Sequence, residues 1–366
     1  MPILHNITVI PAFPPARVVL PNIPDSIIPM TFSPLLRSWL LTIALGLISS
    51  NAICADQDWQ QFKNAYIQNG RVIDSGQDGI SHTEGQGVAM LLAVKNNDPQ
   101  TFELVWNWTQ RHLQVREDKL LAWSWSPTQG VMDTNNASDG DLFIAWALSQ
   151  AYTRWQEPRY LFSALQISQS IREKLMRKTN FGTVILPGAF GFEKPEGLKL
   201  NLSYWVFPAI TELATLDPAP EWSELQLTGM RLLEQAQFGK WKLPPDWLMY
   251  KDGISTPTDG DRFGYDAVRI PLYLIWGNQA SNLNMKPFQT FWGSFKGQEF
   301  LPAWVDLKTG DIGTYNASLG FHSIAALTLS YPQVDLAQLP NFDPTEGYYS
   351  SMLYLFTKSA VEDLKK

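Results

Sequence analysis

The chain has 366 residues, of which 45% are apolar, 17% charged and 13% aromatic, and 28 basic against 35 acidic residues give a formal net charge of -7. This apolar content builds a large core and excludes a disordered chain, while an acidic balance without blocks of like charge argues against an electrostatic nucleic-acid binder. One cysteine and four scattered histidines, His5, His82, His112 and His322, exclude a disulfide framework and leave no zinc constellation.

In chain order, residues 1–29 carry seven of the 25 prolines and no apolar period. They read as an unstructured extension or a mis-assigned start. From Met30 the text changes: Arg37 is followed by the apolar run Trp39–Ile48, and small residues then lead to Ala55. That order of charge, apolar core and small-residue exit is a secretory signal spanning 30–55, with Met30 as the expected true start. The run is too short to span a bilayer, so no membrane insertion of the mature chain is expected. Cleavage near residue 55 predicts a periplasmic or secreted protein.

Residues 56–366 read as a single domain. Apolar residues recur at steps of three and four in Phe102–His112, Leu142–Trp155, Leu161–Leu175, Trp222–Ala236, Leu319–Leu329 and Tyr349–Leu364. Weaker helical patterns follow Glu84, Tyr204, Asp266 and Lys286. Alternation is rare: Phe181–Phe192 reads as a glycine-rich loop, and Val305–Gly313 as a small hairpin. The reading is an all-α domain of roughly ten helices with short loops.

Three acidic sites stand out. Ser81-His82-Thr83-Glu84-Gly85-Gln86 places a carboxyl at a helix start, where Ser81 and Glu84 also fit a capping box. Ala137-Ser138-Asp139-Gly140-Asp141 opens the next strong helix, and Ser138 with Asp141 offers a second cap. Tyr265-Asp266-Ala267-Val268-Arg269 is the third, whose plain reading is a local ion pair of little worth if exposed. Trp123, Trp125, Tyr204, Trp205 and Trp247 lie among these sites. Flat aromatic faces stack on pyranose rings, although most tryptophans in proteins are core.

These three motifs resemble glycoside hydrolase family eight, with supporting matches at Arg71-Val72-Ile73-Asp74, Asn201-x-Ser203-Tyr204 and Pro245-Asp246-Trp247. Within that family the chain looks most like the periplasmic endoglucanases encoded beside bacterial cellulose synthases. The resemblance implies an (α/α)6 barrel and hydrolysis of β-1,4-glucan chains with inversion. It implies Glu84 as proton donor, Asp266 as general base and Asp139 as a sugar-positioning aspartate, sometimes labelled a nucleophile. Asp141, Gln86, Trp123, Trp125, Tyr204, Trp205, Trp247, Tyr265 and Arg269 are the substrate-binding residues expected from it. Neither metal nor cofactor is expected, because two-carboxylate hydrolysis needs none. An apolar setting from Gly85 and Val88–Leu92 is expected to keep Glu84 protonated, and Arg269 to favour ionised Asp266. Xylan or chitosan hydrolysis, or a non-catalytic glucan-binding role, are the competing readings. The chain departs from its relatives at Thr83, at Val88-Ala89, where tyrosine and glycine are common, and at Leu202 in place of proline.

Overall fold

The computed structural model describes residues 56–365, so the expected signal segment and extension lie outside the described residues. Eleven α-helices organise this part of the chain. They are α1 Gln57–Tyr66, α2 Thr83–Lys95, α3 Pro99–His112, α4 Ser138–Trp155, α5 Pro158–Leu175 and α6 Phe207–Leu216. Then come α7 Pro220–Gln235, α8 Ile270–Trp276, α9 Asn282–Gly293, α10 Leu319–Ser330 and α11 Tyr348–Leu364. All the helical patterns expected from sequence are present, and α1 is an addition to them.

Local chemistry sets where these helices begin. Proline occupies the first turn of α3, α5, α6, α7 and α8, where a missing N–H costs nothing. Asp56 and Asp98 cap α1 and α3, and Ser281 with Asn284 closes a capping box on α9.

Two burial patterns separate inner from outer helices. Helices α2, α4 and α8 are buried around almost their whole circumference, as interior helices must be. Helices α3, α5 and α7 bury one face only. Neighbours follow the order α2–α4–α6–α8–α10–α11, and α11 returns to α2, so six inner helices close a ring. The architecture is an (α/α)6 barrel, in keeping with the helix-dominated reading.

Short strands rim the barrel. Met176–Thr179 pairs antiparallel with Gly182–Ile185, so part of the expected 181–192 loop is a hairpin. Its alternation is hidden because Thr183, Val184 and Ile185 are all buried. A four-stranded sheet of Glu193–Lys194, Gly197–Leu200, Trp247–Lys251 and Ile254–Thr258 was not foreseen. Its strands are two to five residues long, at or below the short end of the range over which alternation is readable. The hairpin expected at Val305–Gly313 is there: Val305 bridges Ile312, and Asp306 accepts the N–H groups of Lys308 and Thr309.

Candidate active site

A cavity of about 420 Å³ opens where the inner helices begin. Glu84 reaches it from the first turn of α2, Asp139 from the first turn of α4, and Asp266 from the loop before α8. The three carboxyl groups that sequence placed at separate junctions thus face one space.

Arg269 joins them. Its guanidinium is 4% exposed, and Nη1 donates to Glu84 Oε1 and lies 3.7 Å from Asp139 Oδ2. Nη2 donates to Asp266 Oδ1 at 2.8 Å and to Ser203 Oγ at 2.9 Å. Ser203 is fixed in turn by Asn201, whose side-chain oxygen accepts from both Ser203 Oγ and Ser203 N. Burial opposes the arginine's charge, but Glu84 and the neighbouring anionic groups keep its pKa raised. The expected apolar setting of Glu84 is therefore corrected. Val88–Leu92 is packed in the core, and the partner of the Glu84 carboxyl is an arginine.

Asp139 is 4% exposed, and burial together with the Glu84 charge pushes its carboxyl up to about 7. Arg269 and the Gly140 N–H work against that rise. Asp266 is also raised, first by burial and then by Glu84, despite Arg269, Asn201 and Trp247. Arg269 does favour the ionised form as expected; desolvation is the larger effect.

Asp246, in the sequence only part of a supporting motif, holds the loop that carries Asp266. Its Oδ1 accepts the backbone N–H groups of Gly264, Asp266 and Ala267 at 2.9, 3.1 and 2.8 Å. Burial and the Asp266 charge raise this carboxyl to about 6, against those three N–H groups. A Pro-Asp-Trp sequence before a strand carries little warning of such a role, because its partners lie 18 to 21 residues away.

The aromatic residues divide. Trp123, Tyr204, Tyr265 and the unforeseen Tyr349 line the cavity. Trp247 stands edge-on to Tyr204 with centroids 6.0 Å apart, and its indole favours ionised Asp266. Trp205 is not a cleft residue: it is 1% exposed and donates to Leu225 O in the core. Trp125 packs against Trp108 and His112 under the Arg71 guanidinium, outside the cavity wall.

Two expected polar contacts with sugar are corrected likewise. Gln86 is fully buried, accepts from Val72 N and donates to Gly70 O and Thr109 Oγ1, so it rivets the Arg71-Val72 strand to α2 and α3. Asp141 accepts from Leu121 N and Asn136 Nδ2, and burial pushes it up to about 7. Neither expected cap forms. His82, not Ser81, caps α2, while α4 starts at Ala137 without a side-chain cap. Val88 and Leu202 are core residues, so these departures from the family's pattern do not face the cavity.

The model of glycosyl hydrolases family 8 matches residues 33–362. The chain belongs to family 8. Among its relatives, a probable endoglucanase of Novacetimonas hansenii is 39% identical over 307 residues, 82% of this chain and 88% of that protein. An endoglucanase of Cellulomonas uda is 36% identical over 284 residues, 76% and 79% of the two chains. The solved structure of endo-β-1,4-glucanase CMCax from Acetobacter xylinum superposes with a TM-score of 0.80 at 38% identity, covering 85% of this chain and 98% of that one. As a family 8 member, the chain is a glycoside hydrolase. Among the described residues, no cluster of histidine, cysteine and carboxylate side chains is arranged to hold a metal ion.

Proposed function

We propose that this protein is an endo-1,4-β-glucanase that cuts cellulose chains with inversion at the anomeric carbon. The observation that carries the reading is the meeting of Glu84, Asp139 and Asp266 around Arg269 in one aromatic-walled cavity. A glycosidic oxygen is a poor leaving group and needs a proton as its bond breaks; Glu84 supplies it. Asp266, whose ionised form Arg269, Asn201 and Trp247 favour against its burial, takes a proton from the water that attacks the opposite face. Asp139 turns toward the sugar between them and holds it by hydrogen bonding. Arg269 spaces the donor and base and balances the charge on Asp266 and, once its proton has passed to the leaving oxygen, that on Glu84.

Trp123, Tyr204 and Tyr265 offer ring faces along the cavity, which suits a polymer lying across it. Tyr265 is 42% exposed, at the edge where a chain leaves. Viscosity of a soluble cellulose derivative should fall well before reducing ends accumulate. Release of only mono- or disaccharide from the outset would count against internal cutting. Side-by-side assays on xylan and chitosan test the neighbouring substrate classes.

The export segment and the relatives support two further readings. The protein works in the periplasm after cleavage near residue 55, and it accompanies a cellulose synthase complex by trimming its product. Among the described residues no helix is long and apolar enough to cross a membrane. Mass spectrometry of periplasmic material tests the first reading, and co-purification with the synthase the second.

A further inference from the structure

We propose that His82, held by Asp74, is a positioning residue that fixes the first turn of α2 and so aims Glu84. The inference rests on the reading of Glu84 as proton donor.

His82 ends the strand Ser81–His82 and stands at the N-cap of α2, two residues before Glu84. Its Nδ1 accepts the Gly85 N–H at 3.0 Å. An N–H can only donate, so Nδ1 carries no proton and the ring's proton sits on Nε2. That nitrogen faces Asp74 Oδ2 at 3.2 Å. Asp74 is itself tied down: its carboxylate accepts from Gly76 N at 2.8 Å and from Gln77 Nε2 at 3.0 Å. Burial would raise Asp74, but His82, Gly76 and Gln77 hold it below the usual carboxylate value, so it remains an anionic acceptor.

The ring is also confined sideways. Tyr348 meets it edge-on, with centroids 5.6 Å apart. A side chain at Gly85 would come 3.0 Å from Tyr348 Oη and 3.4 Å from His82 Cε1, so cap and ring meet with little space to spare. His82 borders the cavity and is 7% exposed, but both nitrogens already have protein partners. A sugar hydroxyl could reach one only by displacing Asp74 or the helix cap. The histidine therefore acts through Glu84.

The test uses the full mature chain and three variants. His82→Phe keeps the ring volume against Tyr348 but loses both hydrogen bonds. His82→Asn regains a capping oxygen for Gly85 N. Asp74→Asn keeps an acceptor for Nε2 and loses the charge. On a soluble β-1,4-glucan, His82→Phe should lower kcat roughly 30- to 100-fold with KM within about twofold, as expected when a donor is misaimed. His82→Asn should recover at least roughly tenfold of that loss, in keeping with a restored cap. Asp74→Asn should cost only a few-fold in kcat, at constant KM. A rise in KM at unchanged kcat would make His82 a sugar contact and overturn the proposal. So would a His82→Asn variant no better than His82→Phe, or unaltered kinetics in all three. If His82→Phe does not fold, the other two variants still decide the question. Glu84→Gln assayed alongside separates the premise from the inference: substantial activity in that variant removes Glu84 as donor, whatever His82 does.

Discussion

Arg269 Nη2 donates to Asp266 Oδ1 at 2.8 Å, across three residues of the same short segment. A pair at that spacing on a surface would be worth about 0–1 kcal/mol. Here the side chain is 4% exposed and its other arm holds Glu84, so the local pair becomes the bridge between the carboxyl groups proposed as donor and base.

Removing either end of that bridge should stop the chemistry without unfolding the chain. Glu84→Gln and Asp266→Asn should each lower kcat by roughly three orders of magnitude or more, in the range of lost general acid–base catalysis. Thermal unfolding should be preserved. NMR of the first product from a β-linked glucan should show the α-anomer. A β-anomer would mean a covalent intermediate and a carboxyl pair about 5–5.5 Å apart rather than the roughly 6.5–9.5 Å that leaves room for water.

The acid limb of the pH profile follows from Asp266. Its carboxyl is raised by burial, and only the ionised form accepts the water's proton. Activity should thus disappear as pH falls through a value above the ordinary aspartate range of about 4. The free-enzyme value is read from kcat/KM against pH. A limb at or below about 4 would show that the base is better solvated than its surroundings indicate.

Asp139 trades stability for position. Its folded value of about 7 lies above the unfolded one near 4, so folding favours the protonated form. That contribution is complete below the unfolded value and is lost as pH rises through the folded one. Asp139→Asn should therefore raise the melting temperature at pH values above neutrality, with the gain vanishing near pH 4. The same variant should lose most activity, through a badly held sugar. No stability gain at alkaline pH would mean that Arg269 compensates the charge fully.

Asp246 should prove nearly as costly to lose as a reacting group. Asp246→Ala leaves three N–H groups of the base loop without their acceptor. We expect kcat to fall roughly 100-fold, the scale associated with a misplacement of about 1 Å, with KM little altered. Equal kcat in the variant would show that the loop keeps its shape unaided.

The tryptophans separate by readout. Trp205→Ala should cost roughly 3–5 kcal/mol of stability as a core cavity, seen as an early thermal transition. Trp123→Ala should leave that transition in place and raise KM on polymer.

The helical framework is legible because apolar spacing survives in long elements such as Pro158–Leu175, whose one buried face of Tyr160, Ala164, Ile167, Ile171 and Leu175 follows directly from sequence. The three carboxyl positions were legible as motifs. Their partners were not, since Arg269 reaches Glu84 across 185 residues and no local pattern encodes that contact. Gln86 and Asp141 misled for the opposite reason. Polar residues beside a reacting group look like sugar ligands in a linear text, whereas the folded chain spends both on backbone amides. Trp205 and Trp123 could be told apart only by which side of the barrel wall each occupies.

At Gly140, a methyl group would fall 2.1 Å from Thr83 Oγ1 and 2.8 Å from Glu84 N. The helices bearing Glu84 and Asp139 therefore touch where side chains are missing, here and at Gly87, where a methyl group would fall 2.6 Å from Phe143 Cβ, and these contacts gauge how near the two carboxyl-bearing turns lie. Groove reach and the placing of Asp139 against Glu84 are consequently separable for engineering. Rim strands and loops can be exchanged to suit longer, shorter or differently decorated glycans, while the gauge stays with the barrel. Any library that varies position 140 instead shifts the aspartate proposed to hold the sugar relative to the proposed proton donor.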